Sequence, residues 1–270
     1  MTKNPLIVFL TDFGLQDPYV GIMKGAVLSI DRKAVLIDIT HAIEPHNVVQ
    51  GAVILSAAYR FFPKGTIFVC VVDPGVGTRR RILCVRTRDY YFLAPDNGLL
   101  DAVCGQEKKV VARSVVNQKY FLPGLLSATF HGRDIFAPVA AGLAKGRARP
   151  EDLGPVIAYR PRLKLPVVKK SRNRLKGVIL YFDRFGNAIT NICRSDAREK
   201  FWAEAEVRVR GHVLGKLRKT YGDWARTAGA LFGSADRLEI AYPCGSARKK
   251  IPLKAGEEVT VTATVEASGC

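Results

Sequence analysis

Short, continuous apolar runs alternate with segments of helical periodicity along the first half of the chain. Strands are predicted at residues 6–10, 34–39, 66–72, 82–85 and 90–93. Apolar residues recur at helical spacing at residues 20–30, 47–60 and 134–144. Strands that are apolar on both faces are typical of parallel sheets, because helices cover both sides. The repeated strand–helix–strand order therefore predicts an α/β domain with a mostly parallel sheet.

The second half of the chain has a different pattern, and a basic segment separates it from the first. Residues 145–176 contain 11 lysines and arginines, opposed only by Glu151 and Asp152, together with four prolines. This composition is typical of a surface linker. Residues 177–182 form an apolar run, and residues 259–265 alternate with period two, as in a half-buried strand. We therefore expect an α/β domain at residues 1–160, a basic linker at 161–176 and a smaller all-β domain, a barrel or a sandwich, at 177–270.

The net charge of the chain limits the classes of binding partner but does not identify one. The 270 residues include 42 Lys and Arg against 24 Asp and Glu, which gives a formal net charge of +18. A hydrophobic content of 48% excludes intrinsic disorder. Three interpretations of the charge remain: a nucleic-acid binder, a binder of anionic substrates, or a protein with a basic surface. Only four Gln, seven Asn and two Met are present, which is typical of a thermophilic source.

The sequence shows no targeting segment and no metal-binding pattern. The apolar run at residues 6–10 is too short for a signal peptide, and no run approaches the roughly 20 apolar residues of a membrane span. We therefore expect a cytoplasmic protein that does not enter a membrane. The six cysteines and four histidines have no zinc-ligand spacing, so we expect no bound metal.

Polar residues follow three of the predicted strands at the point where each strand ends. Asp12 and Asp17 follow the first strand, His41 follows the second, and Asp73 follows the third in the sequence Asp-Pro-Gly-Val-Gly-Thr. A single aspartate after a strand often forms a turn or caps a helix. Because parallel strands end at the same edge of a sheet, three such loops together predict a ligand site there.

Two further polar motifs lie outside these loops. Phe-His-Gly-Arg-Asp, which contains His131, precedes the helix predicted at residues 134–144, where a lone histidine is more often structural. A second motif begins at Asp183 and opens the second domain, and its residues are expected to face an interdomain cleft. Asp-Phe-Gly at residues 12–14 is not a kinase motif, because nothing precedes it that serves as a catalytic loop. Neither a Walker A motif nor a dinucleotide fingerprint is present.

Six separated motifs together resemble one family, the S-adenosylmethionine (SAM) hydroxide adenosyltransferases, which are related to fluorinating and chlorinating enzymes. They are TDFG at 11–14, TH-x-I-x-P at 40–45, DPGVGT at 73–78, APDNG at 94–98, TFHGRD at 129–134 and DRFGNAITNI at 183–192. The resemblance implies an N-terminal α/β domain, a β-barrel-like C-terminal domain and a homotrimer that binds substrate where neighbouring subunits meet. It implies hydrolysis of SAM to adenosine and L-methionine, without a cofactor.

The resemblance assigns the hydrolytic residues to Asp73, Arg80 and His131. Water must attack ribose C5′ opposite the sulfonium and lose a proton as it does so, whereas the thioether leaves neutral and needs no acid. Asp73 and His131 are expected to hold the water, while Arg80 favours hydroxide electrostatically. The sequence leaves open which group is the base. It also leaves open whether Arg80 or one of its neighbours, Arg79 and Arg81, takes this part.

The same motifs imply substrate contacts in the first domain. Asp12 is expected to accept hydrogen bonds from both ribose hydroxyls, which suits a carboxylate with two oxygens. Asp17 is expected to meet the methionine ammonium. Tyr19 is expected at the substrate, in a position that is serine in the halogenating relatives.

The second domain is expected to supply the remaining contacts. Asp183 is expected at the methionine ammonium, and Asn187 at the adenine edge, because its amide both donates and accepts. Phe185 is expected to line the pocket and Tyr221 to stack on adenine. Ser234 is expected near the methionine carboxylate.

Two alternatives stand beside hydrolysis. A SAM-dependent halogenase of the same fold would use a halide, but the halogenating relatives carry tyrosine in place of Asp73 and lack His131. The pair Asp73 and His131 therefore favours water. A basic nucleic-acid-binding protein without SAM turnover is the second alternative. Half of the net charge maps to residues 145–176, which contain one aromatic residue, Tyr159, so nucleic acid is not the expected partner.

Overall fold

A computed structural model describes residues 6–224 and 227–263 of the chain. The chain divides into two compact units, Met1–Leu163 and Lys164–Cys270. Each unit has its own sheet and its own apolar core. Within the described ranges, no helix is both long enough and apolar enough to cross a membrane.

The first unit is an α/β domain built on one seven-stranded sheet. In chain order its elements are β1 (Ile7–Thr11), α1 (Tyr19–Ile30), β2 (Leu36–Thr40), α2 (Val48–Ala58), β3 (Ile67–Val71), β4 (Ile82–Arg86), β5 (Tyr91–Pro95), α3 (Asp101–Cys104), β6 (Val111–Ser114), α4 (Ala137–Ala144) and β7 (Val156–Ile157). The strand order is β2-β1-β3-β5-β4-β6-β7.

The predicted α/β class of this unit is confirmed, and its parallel strands lie together. β1, β2, β3 and β5 are parallel to one another, whereas β4, β6 and β7 run antiparallel to their neighbours. The reversal at β4 has a local cause, because the four residues between β4 and β5 are too few for the crossover that parallel strands need.

Both faces of the parallel strands are covered by helices. Ile7 and Phe9 of β1 pack in a cluster that includes residues of α1 and α4. Val8 and Leu10 point to the other face and pack with residues of α2 and α3. All four side chains are at most 1% exposed. This double burial explains why the strand is continuously apolar.

The edge of the sheet that carries the polar loops is defined by the pairing of three strands. Thr11 of β1 pairs with Val71 of β3, and Leu10 pairs with Thr40 of β2. The carboxyl ends of these strands are therefore neighbours. The chain leaves β1 into Asp12 and leaves β3 through Val72 into Asp73, which brings their loops to one edge, where ligands bind in open α/β sheets.

Among its described residues the second unit is all-β, as predicted, apart from two short α-helices and two 3-10 helical turns. Its elements are β8 (Lys169–Ser171), β9 (Arg174–Phe182), β10 (Ala188–Cys193), α5 (Glu199–Ala203), β11 (Ala205–Val209), β12 (His212–Lys216), β13 (Gly229–Phe232), β14 (Arg237–Ala241), α6 (Ala247–Lys250) and β15 (Glu258–Ala263). The strand order is β12-β11-β15-β9-β10-β14-β13, with β8 paired to β9.

This second sheet is antiparallel throughout and is nearly closed into a barrel. Every pair of its named strands is antiparallel. Just after β12, the backbone N–H of Arg218 donates to the carbonyl of Ala230 in β13 at 2.9 Å, which links the two ends of the strand order. Alternate residues of β15, including Val259 and Val261, are fully buried in the core of this unit. This alternation is the period-two pattern seen in the sequence.

Part of the segment predicted as a basic linker is strand. β9 begins at Arg174 rather than at residue 177, and Lys169–Ser171 pairs with it as β8. The Ser171 hydroxyl donates to the Arg174 carbonyl at 3.2 Å and closes the turn between the two strands. Basic side chains are tolerated there because Lys169, Lys170 and Arg174 remain exposed, while the half-buried Lys176 pairs with Glu258 at 2.9 Å. Their charge hid the strand periodicity in the sequence.

Candidate active site

Asp73, Arg80 and His131 are in direct contact in the first unit. The Arg80 Nε donates to Asp73 Oδ1 at 2.9 Å and to Oδ2 at 2.7 Å, and the Arg80 Nη2 donates to Oδ2 at 2.5 Å. The same Nη2 lies 2.8 Å from His131 Nδ1. The Asp73 side chain is 5% exposed and that of Arg80 10% exposed, so water screens this pair only weakly. The guanidinium thus connects a carboxylate and an imidazole that are distant in sequence.

The contact with Arg80 defines the protonation of His131. A guanidinium can only donate hydrogen bonds, so His131 Nδ1 must accept, and the neutral ring carries its proton on Nε2. Burial lowers the pKa of His131, and the positive charge of Arg80 lowers it further, although Asp73 and Asp134 act in the opposite direction. His131 is therefore neutral near pH 7 and presents an Nε2–H donor.

Of the three adjacent arginines at residues 79–81, it is Arg80 that contacts Asp73. Arg80 turns towards Asp73, whereas Arg81 points to a different carboxylate and donates from Nε to Asp96 at 2.8 Å. Arg79 is exposed. Because Arg81 faces Asp96 and Arg79 is exposed to solvent, Arg80 is the one of the three that faces Asp73.

A tight turn between Asp73 and Arg80 sets their approach. The Val76 N–H donates to the Asp73 carbonyl at 3.2 Å, and the Thr78 N–H to that of Gly75 at 3.1 Å. Gly77 has a φ of 78°, and a Cβ on it would lie 2.4 Å from the carbonyl oxygen of Ala128. Only glycine fits there, because the φ is left-handed and the neighbouring backbone leaves no room. The turn therefore packs directly against the segment that leads to His131.

The end of β3 is fixed by an asparagine that the sequence did not single out as functional. The Asn97 Nδ2 donates to the carbonyl of Val72 at 2.8 Å, one residue before Asp73. The Asn97 Oδ1 accepts from the Leu99 N–H at 3.1 Å, which holds the amide in that orientation. The signal was available, because Asn97 lies in one of the six motifs, APDNG.

The segment that carries His131 is held by a buried aspartate. Asp134 is 1% exposed, accepts from the Ser127 N–H at 2.7 Å, and is held by the Arg133 guanidinium. The helix predicted at 134–144 begins earlier, as a π-helix at Gly132–Phe136 that continues into α4. At Gly132 a Cβ would lie 3.0 Å from the sulfur of Met23, so this turn packs closely against α1. Single π turns are frequent at functional sites.

Three aromatic rings connect the loop after β1 with the loop of His131. Tyr19 packs edge-on against Phe130, with ring centroids 5.2 Å apart, and against Phe13 at 5.9 Å. Phe13 and Phe130 are 6.1 Å apart. Tyr19 therefore lies next to the residue that precedes His131. Sequence reasoning selected Tyr19 but missed Phe13 and Phe130, although both lie within the motifs TDFG and TFHGRD.

Asp12 and Asp17 occupy different environments in the same loop. Asp12 is half-buried, and its Oδ2 accepts from the His46 N–H at 2.8 Å. His46 has a φ of 65°, which few residues other than glycine adopt. Asp17 is exposed and lies two residues before α1. Neither carboxylate contacts the Asp73 cluster within the described part of the chain.

A buried histidine that was not predicted as a site residue fixes the start of this loop. His41 is 5% exposed, and its Nδ1 lies 2.8 Å from Thr11 Oγ1. Its Nε2 faces Asp38 Oδ1 at 3.1 Å. The Thr11 hydroxyl oxygen also accepts from the Phe13 N–H at 3.2 Å. His41 thus joins the ends of β1 and β2 immediately beneath Asp12.

In the second unit, Asp183 and Asn187 form one structure. Asp183 Oδ1 accepts from the N–H groups of Phe185 at 2.9 Å and Asn187 at 2.8 Å, while Oδ2 accepts from the Asn187 Nδ2 at 2.9 Å. Asn187 is 6% exposed and keeps its carbonyl oxygen and one amide hydrogen free of these bonds. Phe185 is 75% exposed at the tip of this turn. Asp183 therefore orients Asn187 and retains part of its own accepting capacity.

Tyr221 is held by a carboxylate that the sequence did not assign. Its hydroxyl donates to Glu239 Oε2 at 3.0 Å, and its ring is 46% exposed. Burial raises the pKa of Glu239, the bond from Tyr221 lowers it, and the charge of Asp183 raises it again. Ser234 lies in an exposed turn that the Asp236 N–H closes by donating to Gly233, and none of the other predicted site residues contacts it within the described residues.

The side chains described here do not form a metal centre. Over residues 6–224 and 227–263, no group of three or more His, Cys, Asp or Glu side chains is arranged to hold a metal ion.

Known proteins resemble this chain over nearly its whole length. A family model described as the SAM hydroxide adenosyltransferase N-terminal domain matches residues 7–154, and the model of the C-terminal domain matches residues 177–260. A Thermus thermophilus protein named (R)-S-adenosyl-L-methionine hydrolase is 37% identical over 260 residues, covering 94% of this chain and 98% of that protein. A fluorinase of Actinoplanes sp. is 30% identical over 301 residues, covering 96% and 98%. The crystal structure of a conserved protein from Thermotoga maritima matches with a TM-score of 0.88 at 37% identity, covering 95% and 100%.

Proposed function

The chain belongs to the SAM hydroxide adenosyltransferase family, and on that premise we infer that it is an enzyme that hydrolyses SAM to adenosine and L-methionine. The observation that carries this function is the contact of Arg80 with both Asp73 and His131. The three groups lie where β3 ends, at the edge of the sheet where a substrate is expected. A carboxylate, a guanidinium and a neutral imidazole together suit the activation of water.

The reaction we propose is an in-line substitution at ribose C5′. An oxygen–carbon bond forms as the carbon–sulfur bond breaks, and the electron pair of the broken bond neutralises the sulfonium. Because the thioether leaves without a proton, the only proton that must move is the one lost by water. The chemical demand on the protein is therefore to orient one water and to accept one proton.

The geometry supports Asp73 as the proton acceptor. His131 presents Nε2–H and so donates to the water oxygen rather than accepting from it. Asp73 Oδ2 takes the two shortest bonds from Arg80, whereas Oδ1 takes only the one at 2.9 Å. Oδ1 therefore has the greater remaining capacity to accept a proton. Arg80 holds both groups in place and stabilises the negative charge that develops as water is deprotonated.

We propose that SAM is bound by the other residues that the sequence motifs selected. In the first unit, Asp12 binds the ribose hydroxyls, Asp17 meets the ammonium group of the methionine part, and Tyr19 adds an aromatic wall. The second unit supplies five further side chains: an amide, two aromatic rings, a carboxylate and a hydroxyl. These belong to Asn187 for the adenine edge, Tyr221 for stacking on adenine, Phe185 for the pocket lining, Asp183 for the ammonium and Ser234 for the methionine carboxylate. Free polar atoms on Asn187 and the exposed face of Tyr221 support the adenine assignments.

We also propose a cytoplasmic homotrimer that works without a cofactor and binds SAM where neighbouring subunits meet. Light scattering coupled to size-exclusion chromatography tests the trimer directly. A monomer that turns over SAM at full rate would contradict the shared site without affecting the hydrolase assignment. A thermophilic source stays a prediction from composition, and a cytoplasmic location also stays a prediction.

The decisive experiment is to incubate the purified protein with SAM in heavy-oxygen water and to separate the products. We expect adenosine and methionine, with the heavy isotope at the adenosine 5′ oxygen. His131→Ala is the test variant, and His212→Ala, which removes an exposed histidine of the second unit, is its matched control. Adenosine that forms no faster than without protein would refute hydrolysis. Halide-dependent formation of 5′-halo-adenosine would instead establish a halogenase, and retention on RNA without turnover a nucleic-acid binder.

A further inference from the structure

A second concave site lies in the first unit, away from the Asp73 cluster. It is a cavity of about 860 Å³, within the roughly 300–1,000 Å³ range of small-molecule sites. Buried Cys84 and Thr87 belong to its lining. Arg86 of β4 pairs with Tyr91, which is also the partner of Ile67 at the start of β3. The cavity is therefore at the edge of the sheet where β3 begins, whereas Asp73 follows the end of β3.

The lining of this cavity is strongly basic. Six cationic side chains contribute to it, against three acidic ones. The cations are Arg60, Arg86, Arg88, Lys108, Lys109 and Arg113. Half of the net charge lies outside residues 145–176, and all six of these cations belong to that half.

The three carboxylates of the lining are already engaged by other groups. Glu107 accepts from the Tyr59 hydroxyl at 2.6 Å and pairs with Arg60 at 3.5 Å. Asp89 pairs with Lys64, which is outside the lining, at 3.3 Å, and the third carboxylate, that of Glu151, pairs with Arg86 at 3.7 Å. None of the acidic groups is therefore left to neutralise the remaining cations.

Three cations of the lining have no partner in the described chain. Arg88, Lys108 and Lys109 are exposed and make neither an ion pair nor a side-chain hydrogen bond to any residue in 6–224 or 227–263. They come from two different turns, one between β4 and β5 and one between α3 and β6. Like charges held around one concavity repel, and a bound anion relieves that repulsion.

A cavity of similar size in the second unit shows that this imbalance is not a general consequence of the basic composition. That cavity measures about 870 Å³ and is lined by four cations and three carboxylates. Its carboxylates form ion pairs with cations of the same lining. Lys176 pairs with Glu258 at 2.9 Å, and Arg210 pairs with Glu257 at 3.3 Å. There the lining largely neutralises itself, whereas the cavity of the first unit does not.

We propose that the cavity between the β4–β5 turn and the α3–β6 loop binds a small anion that carries several phosphate groups. Ammonium and guanidinium groups are the side chains that bind phosphate oxygens, and guanidinium does so through paired N–H donors. Because the cations come from two turns and line a cavity of this volume, a ligand with more than one phosphate group can contact both turns at once. This site is independent of SAM hydrolysis, and its occupation uses no group of the Asp73 cluster.

Calorimetric titration with inorganic tripolyphosphate, at fixed ionic strength, tests the proposal. The wild-type protein is expected to bind one equivalent saturably, and the double variant Lys108→Ala and Lys109→Ala to bind at least about tenfold more weakly. The matched control removes the same charge from Arg32 and Lys33, an exposed basic pair ahead of β2 and outside the cavity. Glu151→Gln is expected to strengthen binding about threefold or more, because it releases Arg86.

The titration distinguishes a site in the cavity from non-specific binding to basic side chains. Saturable binding that is weakened by the cavity variant alone supports the site, as does a gain on Glu151→Gln. Equal weakening by the control pair, or no saturable heat with tripolyphosphate, overturns it. Binding of an RNA oligonucleotide that depends on Lys108 and Lys109, without binding of tripolyphosphate, also overturns it in favour of a nucleic-acid surface. SAM hydrolysis by the cavity variant is expected to match the wild type.

Discussion

The Nη2 atom of Arg80 is 2.8 Å from Nδ1 of His131, although 51 residues separate them in the chain. Because the guanidinium only donates, this contact fixes the imidazole as the tautomer with its proton on Nε2. The same Nη2 also donates to Asp73. One side chain thus decides the orientation of the proposed base and the protonation of the proposed donor.

Acid should reduce hydrolysis only below the ordinary pKa of histidine. Burial lowers the pKa of His131 from its usual 6.5, and Arg80 lowers it further. The neutral ring therefore persists as the pH falls through 6.5, so kcat/KM should stay level there and decline only at lower pH. Nitrogen NMR of the His131 ring should show the Nε2–H tautomer across that range. A protonated ring at pH 6.5 would contradict the assignment.

The same shift has a consequence for stability. In the unfolded chain His131 takes up a proton near pH 6.5, whereas in the folded protein it does so only at lower pH. The unfolded state therefore binds more protons in that window, and the free energy of unfolding should fall as the pH drops through it. Denaturation of wild type and His131→Ala at several pH values measures how the free energy of unfolding depends on pH. The wild type should show the steeper dependence in that window, and the two dependences should become equal above pH 7.

Substitution of Arg80 should abolish most of the activity. Arg80→Lys retains the charge but not the planar group that reaches Asp73 and His131 together. We expect kcat to fall about 100-fold or more, the scale of losing one preorganised donor at a developing charge. Arg79→Lys is the matched control, since Arg79 is exposed. Equal kcat values for the two variants would exclude Arg80 from the reaction.

Asn97 should affect the rate through the position of Asp73. Asn97→Ala removes the bond to the Val72 carbonyl and should lower kcat about tenfold, because a misplaced catalytic group loses its alignment. Asn117→Ala is closely matched, because the Asn117 Nδ2 also donates to a carbonyl, that of Asp152, at 2.8 Å. Both variants should lose about 1–2 kcal/mol of stability, and only Asn97→Ala should lose rate. A similar kcat in both would show that Asn97 is merely structural.

Gly77 should tolerate no side chain. Gly77→Ala places a Cβ 2.4 Å from the Ala128 carbonyl oxygen in a left-handed backbone, so the turn must move away from the His131 segment. Gly124→Ala is the control, because its φ of 106° is also one that L side chains rarely adopt, but nothing lies within 4 Å of the added carbon. The control should lower the free energy of unfolding by about 1–3 kcal/mol through backbone strain alone. Gly77→Ala should lower it further and should also reduce kcat. Thermal denaturation and steady-state kinetics distinguish the two.

Tyr221 and Glu239 should influence affinity rather than rate. Tyr221→Phe keeps the ring but removes the hydroxyl that donates to Glu239 at 3.0 Å, so the ring loses its anchor. We expect KM for SAM to rise about threefold to tenfold with kcat unchanged, as for loss of uniform binding. Glu239→Gln, which can still accept that bond, should have a smaller effect. A fall in kcat without a change in KM would contradict a role in adenine binding.

The sequence by itself determined the structural class of both units and predicted a candidate site in the loops that follow the strands of the first sheet. Buried parallel strands must be apolar on both faces, so β1 and β3 were visible as continuous runs. The glycines and aspartates that follow them were visible because turns after strands require those residues. Strands β8 and the start of β9 were missed, because exposed lysines and arginines can occupy a strand without any apolar periodicity.

Only the tertiary structure decided which of these polar residues touch. Three adjacent arginines are equivalent in sequence, yet Arg80 alone meets Asp73, because Gly77 allows the turn to press against the backbone of Ala128. Asn97 became relevant only once its bond to the Val72 carbonyl was seen, and the way His41 joins β1 to β2 only once its contact with Thr11 was seen. Local patterning specifies burial and turns over a few residues. The direction of a side chain after a turn depends on packing between segments that are distant in the chain.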